Sequence, residues 1–291
     1  MRARPVFVLG TGRCGSTLVH EVLARHEDTG FVTNLDDLGV LRSRRVHNVA
    51  WRRLPAGVTR KGGARFAPSE AYRLLAREVS PLLVDPARDL TAADATPWLR
   101  RRLVDLVEDR AETLGAPVFL HKLTGWPRAG LLLECFPDAL VVEVVRDGRA
   151  VASSWLQMPW WDGHRGAGGL LFGPLRPDLH ELWREHGESF PVLAGLAWRS
   201  LMEAYDDARA LAPAGSWIRV RHEDVVADPR GTLGAVLDHV GLARSRPFER
   251  GLARHHFDPA RSEAFRDDLA TGDVAALDKV LDAQLLALGY R

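Results

Sequence analysis

Three short stretches of this chain place small, cationic and hydroxylated residues where they could grip and move an anionic group. The first is Gly10-Thr11-Gly12-Arg13-Cys14-Gly15-Ser16-Thr17. It follows an apolar run and opens a segment of helical periodicity, so its backbone N–H groups converge at the positive end of a helix. Three glycines let the backbone close on a ligand, and Arg13, Ser16 and Thr17 add charge and donors. Phosphate is the guest such a loop suits. The second stretch begins at Arg146, which ends another apolar run, and reaches Ser154 two turns into the next helical segment. Both residues face one crevice if the run is a strand of a parallel sheet. The third is His121-Lys122-Leu123-Thr124, at the end of a further apolar run. Lys122 is one of only three lysines in the chain, and a compact ammonium suits the bridging oxygen of a transferring group.

The departures from a nucleotide triphosphatase loop narrow the chemistry. The spacing of Gly10 and Gly15 fits G-x-x-x-x-G-K-[ST], but Ser16 stands where the lysine belongs, and the cation sits inside the loop at Arg13. A magnesium-dependent phosphoryl transferase also needs an aspartate at a neighbouring strand end. Here that position is Arg146, which opposes a metal and favours a second anionic group. A P-loop kinase or a noncatalytic nucleotide-binding protein stays as an alternative reading of the loop alone.

Residues so spaced need strands to hold them. Apolar, β-branched runs at 5–9, 117–121, 140–145 and 216–221 read as strands, with 30–33 a weaker fifth. Helical patterns follow the first four, at 16–25, 127–136, 149–156 and 231–240. Thr96 before Pro97 reads as the cap of a helix running to about Leu114, and 271–290 as a closing helix. This alternation predicts an α/β fold, a three-layer parallel sheet flanked by helices in one domain over 1–291. Two segments break the rhythm: the basic, turn-rich 34–68, and 156–180 with its tryptophans, glycines and prolines. Both suit acceptor-binding insertions.

Composition excludes several classes. With 291 residues, 46% hydrophobic and 26% charged, the chain has the makeup of a globular protein. A net charge of +1 supplies no global field for nucleic acid, and charge is concentrated locally, from Arg42, Arg44 and Arg45 through Arg52, Arg53, Arg60 and Lys61 to Arg65. Two cysteines, Cys14 and Cys135, make no disulfide framework, and the adjacent His255 and His256 lack a third ligand at metal spacing. These features predict a cytoplasmic protein with no membrane span, no metal and no nucleic-acid partner.

The first two stretches together resemble the sulfotransferases that use 3′-phosphoadenosine 5′-phosphosulfate (PAPS), in residues, order and spacing. The resemblance implies a P-loop-like sulfotransferase architecture and a metal-independent sulfuryl transfer that releases 3′-phosphoadenosine 5′-phosphate (PAP). It implies that Gly12, Arg13, Cys14, Gly15, Ser16 and Thr17 form the 5′ side of the donor site, and that Arg146 and Ser154, eight residues apart, hold the 3′-phosphate. Arg261 and Arg266 are further candidate nucleotide contacts. The strand leading into His222-Glu223-Asp224 and the ending Leu288-Gly289-Tyr290 extend the resemblance almost end to end. Lys122 also matches: cytosolic members carry a lysine 24 residues before the 3′-phosphate arginine.

The family's known bases do not transfer. Cytosolic members place a histidine two residues after that lysine, where this chain has Thr124. Members acting on protein tyrosines place a glutamate 21 residues after the loop arginine, where this chain has Asn34. The nearest carboxylates are Asp36 and Asp37, so the expected order of candidate bases is Asp36, Asp37, His121, with Arg13 and Lys122 stabilising the transferred group. Trp155, Trp160 and Trp161 are candidate stacking surfaces for a small-molecule or glycoconjugate acceptor bearing a hydroxyl or amine.

Overall fold

The four strong apolar runs all become strands of one sheet. The computed structural model describes residues 3–39, 43–54 and 66–291. Its strands are β1 (Arg4–Gly10), β2 (Thr29–Gly30), β3 (Val118–Thr124), β4 (Leu140–Val145) and β5 (Trp217–Arg221), ordered β2-β3-β1-β4-β5. Every pairing is parallel. Parallel neighbours require crossover connections, and helices supply them. Helix α1 (Ser16–Leu23) leaves β1, and the helices Ala129–Cys135, Gly148–Leu156 and Pro229–Val240 follow β3, β4 and β5.

Side-chain alternation along the strands divides the core into two layers. Val6 and Val8 of β1 pack with Val19 and Val22 of α1 and with Leu233 and Leu237, while Phe7 and Leu9 pack with Leu103, Leu196 and Trp198 on the opposite face. The three-layer expectation is met. No helix among the described residues is long and apolar enough to cross a membrane.

Register decides where the chemistry sits. Arg4 lies opposite Val118 and Gly10 opposite Thr124, so β1 and β3 end level with each other. On the other side of β1, Leu9 pairs with Glu143, which brings the end of β4, and Arg146 just beyond it, to the same carboxyl edge.

Three elements differ from the expectation. The weak strand at 30–33 joins the parallel sheet only through Thr29–Gly30. Beyond it, the side chain of Asn48 accepts from Phe31 N at 3.0 Å and donates to Phe31 O at 2.9 Å, so a side-chain amide takes the place of a strand neighbour. The closing helix is broken at Leu281 into Thr271–Val280 and Asp282–Ala287. A 22-residue helix, Phe190–Leu211, was not anticipated, although Ser189, which accepts from Val192 N, followed by Pro191 in the first turn, is a start signal in the sequence. Arg42, Arg60, Lys61 and Arg65 of the basic stretch lie outside the described residues.

Candidate active site

A cavity of about 700 Å3 opens at the carboxyl edge of the sheet, where strand ends and loops converge. That size lies within the roughly 300–1,000 Å3 of ligand pockets. Thr11, Gly12, Arg13, Gly15, Ser16 and Thr17 form one side of it, and Arg146 and His222 lie beside them.

The loop holds its cradle shape through a run of left-handed backbone. Gly12, Arg13 and Gly15 have φ of 83°, 57° and 91°. Such angles cost an arginine free energy, and strain of this kind collects at functional loops. Gly10 is required for a different reason: a Cβ there would lie 2.4 Å from Cys14 Sγ and 2.8 Å from Val144 O. Gly15 caps α1 and lies against the His222 ring, whose Nδ1 is 2.2 Å from where a Cβ would stand.

The second anion-gripping stretch meets the first directly. Arg13 Nε donates to Ser154 Oγ at 2.9 Å, and Arg146 donates to Arg13 O at 3.2 Å and to Arg261 O at 3.0 Å. Arg146 Nε and His222 Nδ1, both buried in this corner, have no hydrogen-bond partner among the described residues. Burial, and then the Arg146 charge, hold His222 down at about 4, so its imidazole is neutral near pH 7. Behind the corner, Glu223 accepts from Tyr290 Oη at 2.7 Å and from Asp147 N at 3.2 Å. The chain's last residues thereby brace the turn that carries Arg146.

The third stretch completes the cavity. Lys122 donates to Thr17 Oγ1 at 2.6 Å and lies 3.1 Å from Glu70 Oε1. Thr124 Oγ1 also donates to Glu70 Oε1, at 3.0 Å. The Tyr72 hydroxyl accepts from Thr124 N and lies 3.0 Å from Thr124 Oγ1. Burial and the Glu70 charge push the Tyr72 phenol up to about 12, so it stays protonated and orients the threonine as a donor to Glu70. Beyond Glu70 the lining turns apolar: Val84, Pro86, Trp160, Leu171 and Phe172. Buried Arg128 fixes this wall by donating to the carbonyls of Thr124, Trp126 and Asp85.

The structure brings Gly12, Arg13, Gly15, Ser16, Thr17, Lys122, Arg146 and Ser154 together as expected, but it removes others. Asp36 is buried and accepts from both Thr33 N and Thr33 Oγ1 at 2.7 Å, closing the cap of the short helix Asn34–Asp37. Asp37 accepts from Leu74 N at 3.0 Å. Neither lines the cavity, so the first two candidate bases are structural. His121 precedes Lys122 on β3 and therefore points through the opposite face, where it stacks on Phe119. Cys14 packs its side chain into the core and leaves only its backbone to the loop. Arg266 pairs with Glu263 at 3.5 Å away from the cavity, and Arg261 contributes its carbonyl. Trp155 is fully buried, whereas Trp160 reaches the lining.

Sequence reasoning missed Glu70. It lies just past the basic 34–68 segment and enters through tertiary pairing alone: the bridge between Thr33 and Pro68, and the bond from Ser69 N to Val32 O at 3.1 Å. The only signal was that it is the next carboxylate after Asp37 in a long basic stretch.

Comparison with known proteins finds relatives in fold and in sequence. STF9 of Mycobacterium avium, a sulfotransferase, superposes with a TM-score of 0.60 at 17% identity, covering 99% of this chain and 77% of that one. The sulfotransferase domain of the Synechococcus PCC 7002 olefin synthase gives 0.52 at 17% identity, covering 96% and 95%. Both show the fold. In sequence, the omega-hydroxy-beta-dihydromenaquinone-9 sulfotransferase Stf3 of Mycobacterium tuberculosis is 28% identical over 131 residues, which is 43% of this chain and 29% of that protein's length. A family model described as "Sulfotransferase family" matches residues 5–246, and on that match the chain belongs to the sulfotransferase family.

Proposed function

We propose that this chain transfers a sulfuryl group from PAPS to a hydroxyl on an apolar small-molecule acceptor, with Glu70 as the general base. The observation that carries this reading is Lys122, whose ammonium bonds Thr17 of the glycine loop and Glu70 of the acceptor side at once. Anion grip and candidate base are joined through one cation.

Arg146 and Ser154, with Arg13 between them, suit the 3′-phosphate, and the loop amides with Ser16 and Thr17 suit the 5′-phosphosulfate. A transferring sulfuryl group carries less charge than a phosphoryl group, so fixed cations and backbone donors suffice to stabilise it. The acceptor oxygen attacks sulfur in line, and the bond from sulfur to the 5′-phosphate oxygen breaks. Glu70 takes the acceptor's proton, Lys122 balances charge on the departing oxygen, and PAP leaves with its electron pair. The apolar lining from Val84 to Phe172 favours a hydrophobic acceptor over a glycoconjugate.

Calorimetry in chelator tests the donor. PAP is expected to bind with micromolar or tighter affinity, about −8 kcal/mol, and ATP with magnesium far more weakly. The reverse preference would replace this reading with phosphoryl transfer. Tight PAP binding without transfer to any apolar alcohol or phenol would leave a noncatalytic PAP-binding protein.

A further inference from the structure

A second concentration of guanidinium groups lies at the far end of α1 from the glycine loop. A cleft of about 360 Å3 there is lined by Arg25, Arg52, Arg53, Arg250 and Arg254, with Glu27 as the one carboxylate among its lining residues. Three elements supply the arginines: the turn after α1, the helix Arg45–Arg53, and the helix Arg246–Leu252 with the turn that follows it. None of these residues lines the transfer cavity. The eight residues of α1 alone put about 12 Å between the two.

Five arginines line this cleft against a single lining carboxylate. Arg25, 1% exposed, donates to Trp51 O and to Leu54 O, and Arg254 donates to Arg52 O and Leu54 O, so two cations converge on the carbonyl end of one helix. A helix terminus offers only about half a negative charge. Glu27 is engaged by Ser245 Oγ at 2.8 Å, and the Glu21 charge acts on Arg25. Two buried donors, Arg25 Nη2 and Arg52 Nε, have no hydrogen-bond partner among the described residues. Burial, then the neighbouring Arg254, lower Arg25 to about 10 against the opposing charge of Glu21; burial lowers Arg52 as well, with Glu27 and Asp28 opposing it and Arg45 adding to it. The cleft is also rigidly assembled. A Cβ on Gly251 would stand 2.5 Å from Arg25 Cβ, so the third helix approaches as closely as glycine allows.

We propose that this cleft is a second anion site, which takes a small, multiply charged oxyanion of the phosphate or pyrophosphate type. Guanidinium forks match the oxygens of such groups in pairs, and orphaned N–H donors beside crowded like charges are what such a ligand would satisfy. The proposal does not depend on the donor assignment, because the two sites share no residue.

Pyrophosphate is the probe, titrated calorimetrically into the full chain in metal-free buffer with PAP saturating. One equivalent is expected to bind, and more weakly as salt rises. Arg53 and Arg250 are both exposed, so the double variant Arg53→Gln/Arg250→Gln should fold; it should weaken pyrophosphate at least tenfold and leave PAP affinity within twofold. Absence of a pyrophosphate isotherm, or an unchanged one in the double variant, would overturn the site. If the donor reading were the one at fault, PAP would fail to bind while the pyrophosphate isotherm kept its sensitivity to the double variant.

Discussion

The donor and acceptor halves of the transfer cavity are built in opposite ways. The donor half comes from two compact strand-to-helix turns, after β1 and β4, whose residues lie within a few positions of one another and use backbone donors as much as side chains. The acceptor half draws Glu70, Tyr72 and Val84 from the long connection between β2 and β3, and Trp160 and Phe172 from the segment after the helix Gly148–Leu156. Its rings hold each other, with Phe172 5.0 Å from Trp155 and 6.2 Å from Trp160. Fixed oxyanion geometry is set by short chain segments, whereas acceptor shape is set by which distant loops meet. The donor half should therefore respond to mutation as a rigid anion grip, and the acceptor half as the seat of proton transfer.

The sharpest division between the halves comes from Glu70→Gln, which keeps the size of the side chain and one acceptor for Thr124. Turnover should fall by about 10²–10⁴, the usual worth of a general base, while PAP affinity stays within threefold. Calorimetry beside single-turnover kinetics reads both. Wild-type turnover would break the assignment of the base to the acceptor half.

A pH effect comes next in size. His222 in the donor half and His121 behind β3 are both lowered to about 4, chiefly by burial, against about 6.5 when unfolded. Between those values the unfolded chain binds protons that the native chain refuses, so stability falls as pH drops from about 6.5 toward 4. The loss approaches roughly 3 kcal/mol per histidine. Thermal melts across that range in His121→Leu and in His222→Asn should each show a flatter decline than wild type. A parallel decline in His222→Asn would mean that the donor half accepts a proton in its native state.

The contrast also explains what could be read from sequence. The glycine loop, Arg146 and Lys122 were legible because each lies at or just past the end of an apolar run, and parallel strands deliver their ends to one edge; Ser154 followed from its place two turns into the helix after Arg146. The four strong strands were placed within three residues at each end for the same reason. Asp36 misled because its proximity to the loop in sequence carries no direction, and the carboxylate turns back on its own helix cap. Glu70 was invisible because nothing local marks it; the bridge between Thr33 and Pro68 joins residues separated by a long, basic stretch of sequence. Periodicity should have revealed the helix Phe190–Leu211, which supplies Trp198 to the core beneath Gly148.

Within the donor half, Arg146→Ala should weaken PAP about 30-fold, near 2 kcal/mol, the scale of a lost charge-assisted contact. Because Arg146 also holds the carbonyls of Arg13 and Arg261, the same variant needs a control for loop collapse. Adenosine 5′-phosphate provides it: a ligand without the 3′ group should lose less than threefold. Equal losses for both ligands would make Arg146 a brace for the loop instead of a 3′-phosphate contact.

The smallest effect tests the boundary between site and scaffold. Asp36 Oδ2 satisfies the Thr33 amide and hydroxyl at the start of Asn34–Asp37. Replacing it with asparagine keeps one oxygen in place but removes the charge that strengthens both bonds, a loss of about 1 kcal/mol at a helix cap. Chemical denaturation should show that shift while turnover of the folded enzyme is unchanged, since the cap lies outside the cavity lining. The informative ratio is turnover to stability. A hundredfold loss of turnover with stability intact would return the base to Asp36 and would mean that the Asn34–Asp37 segment rearranges toward the cavity when the donor binds. The expected result, a weaker fold with wild-type chemistry, would leave Glu70 as the carboxylate positioned to take the acceptor's proton.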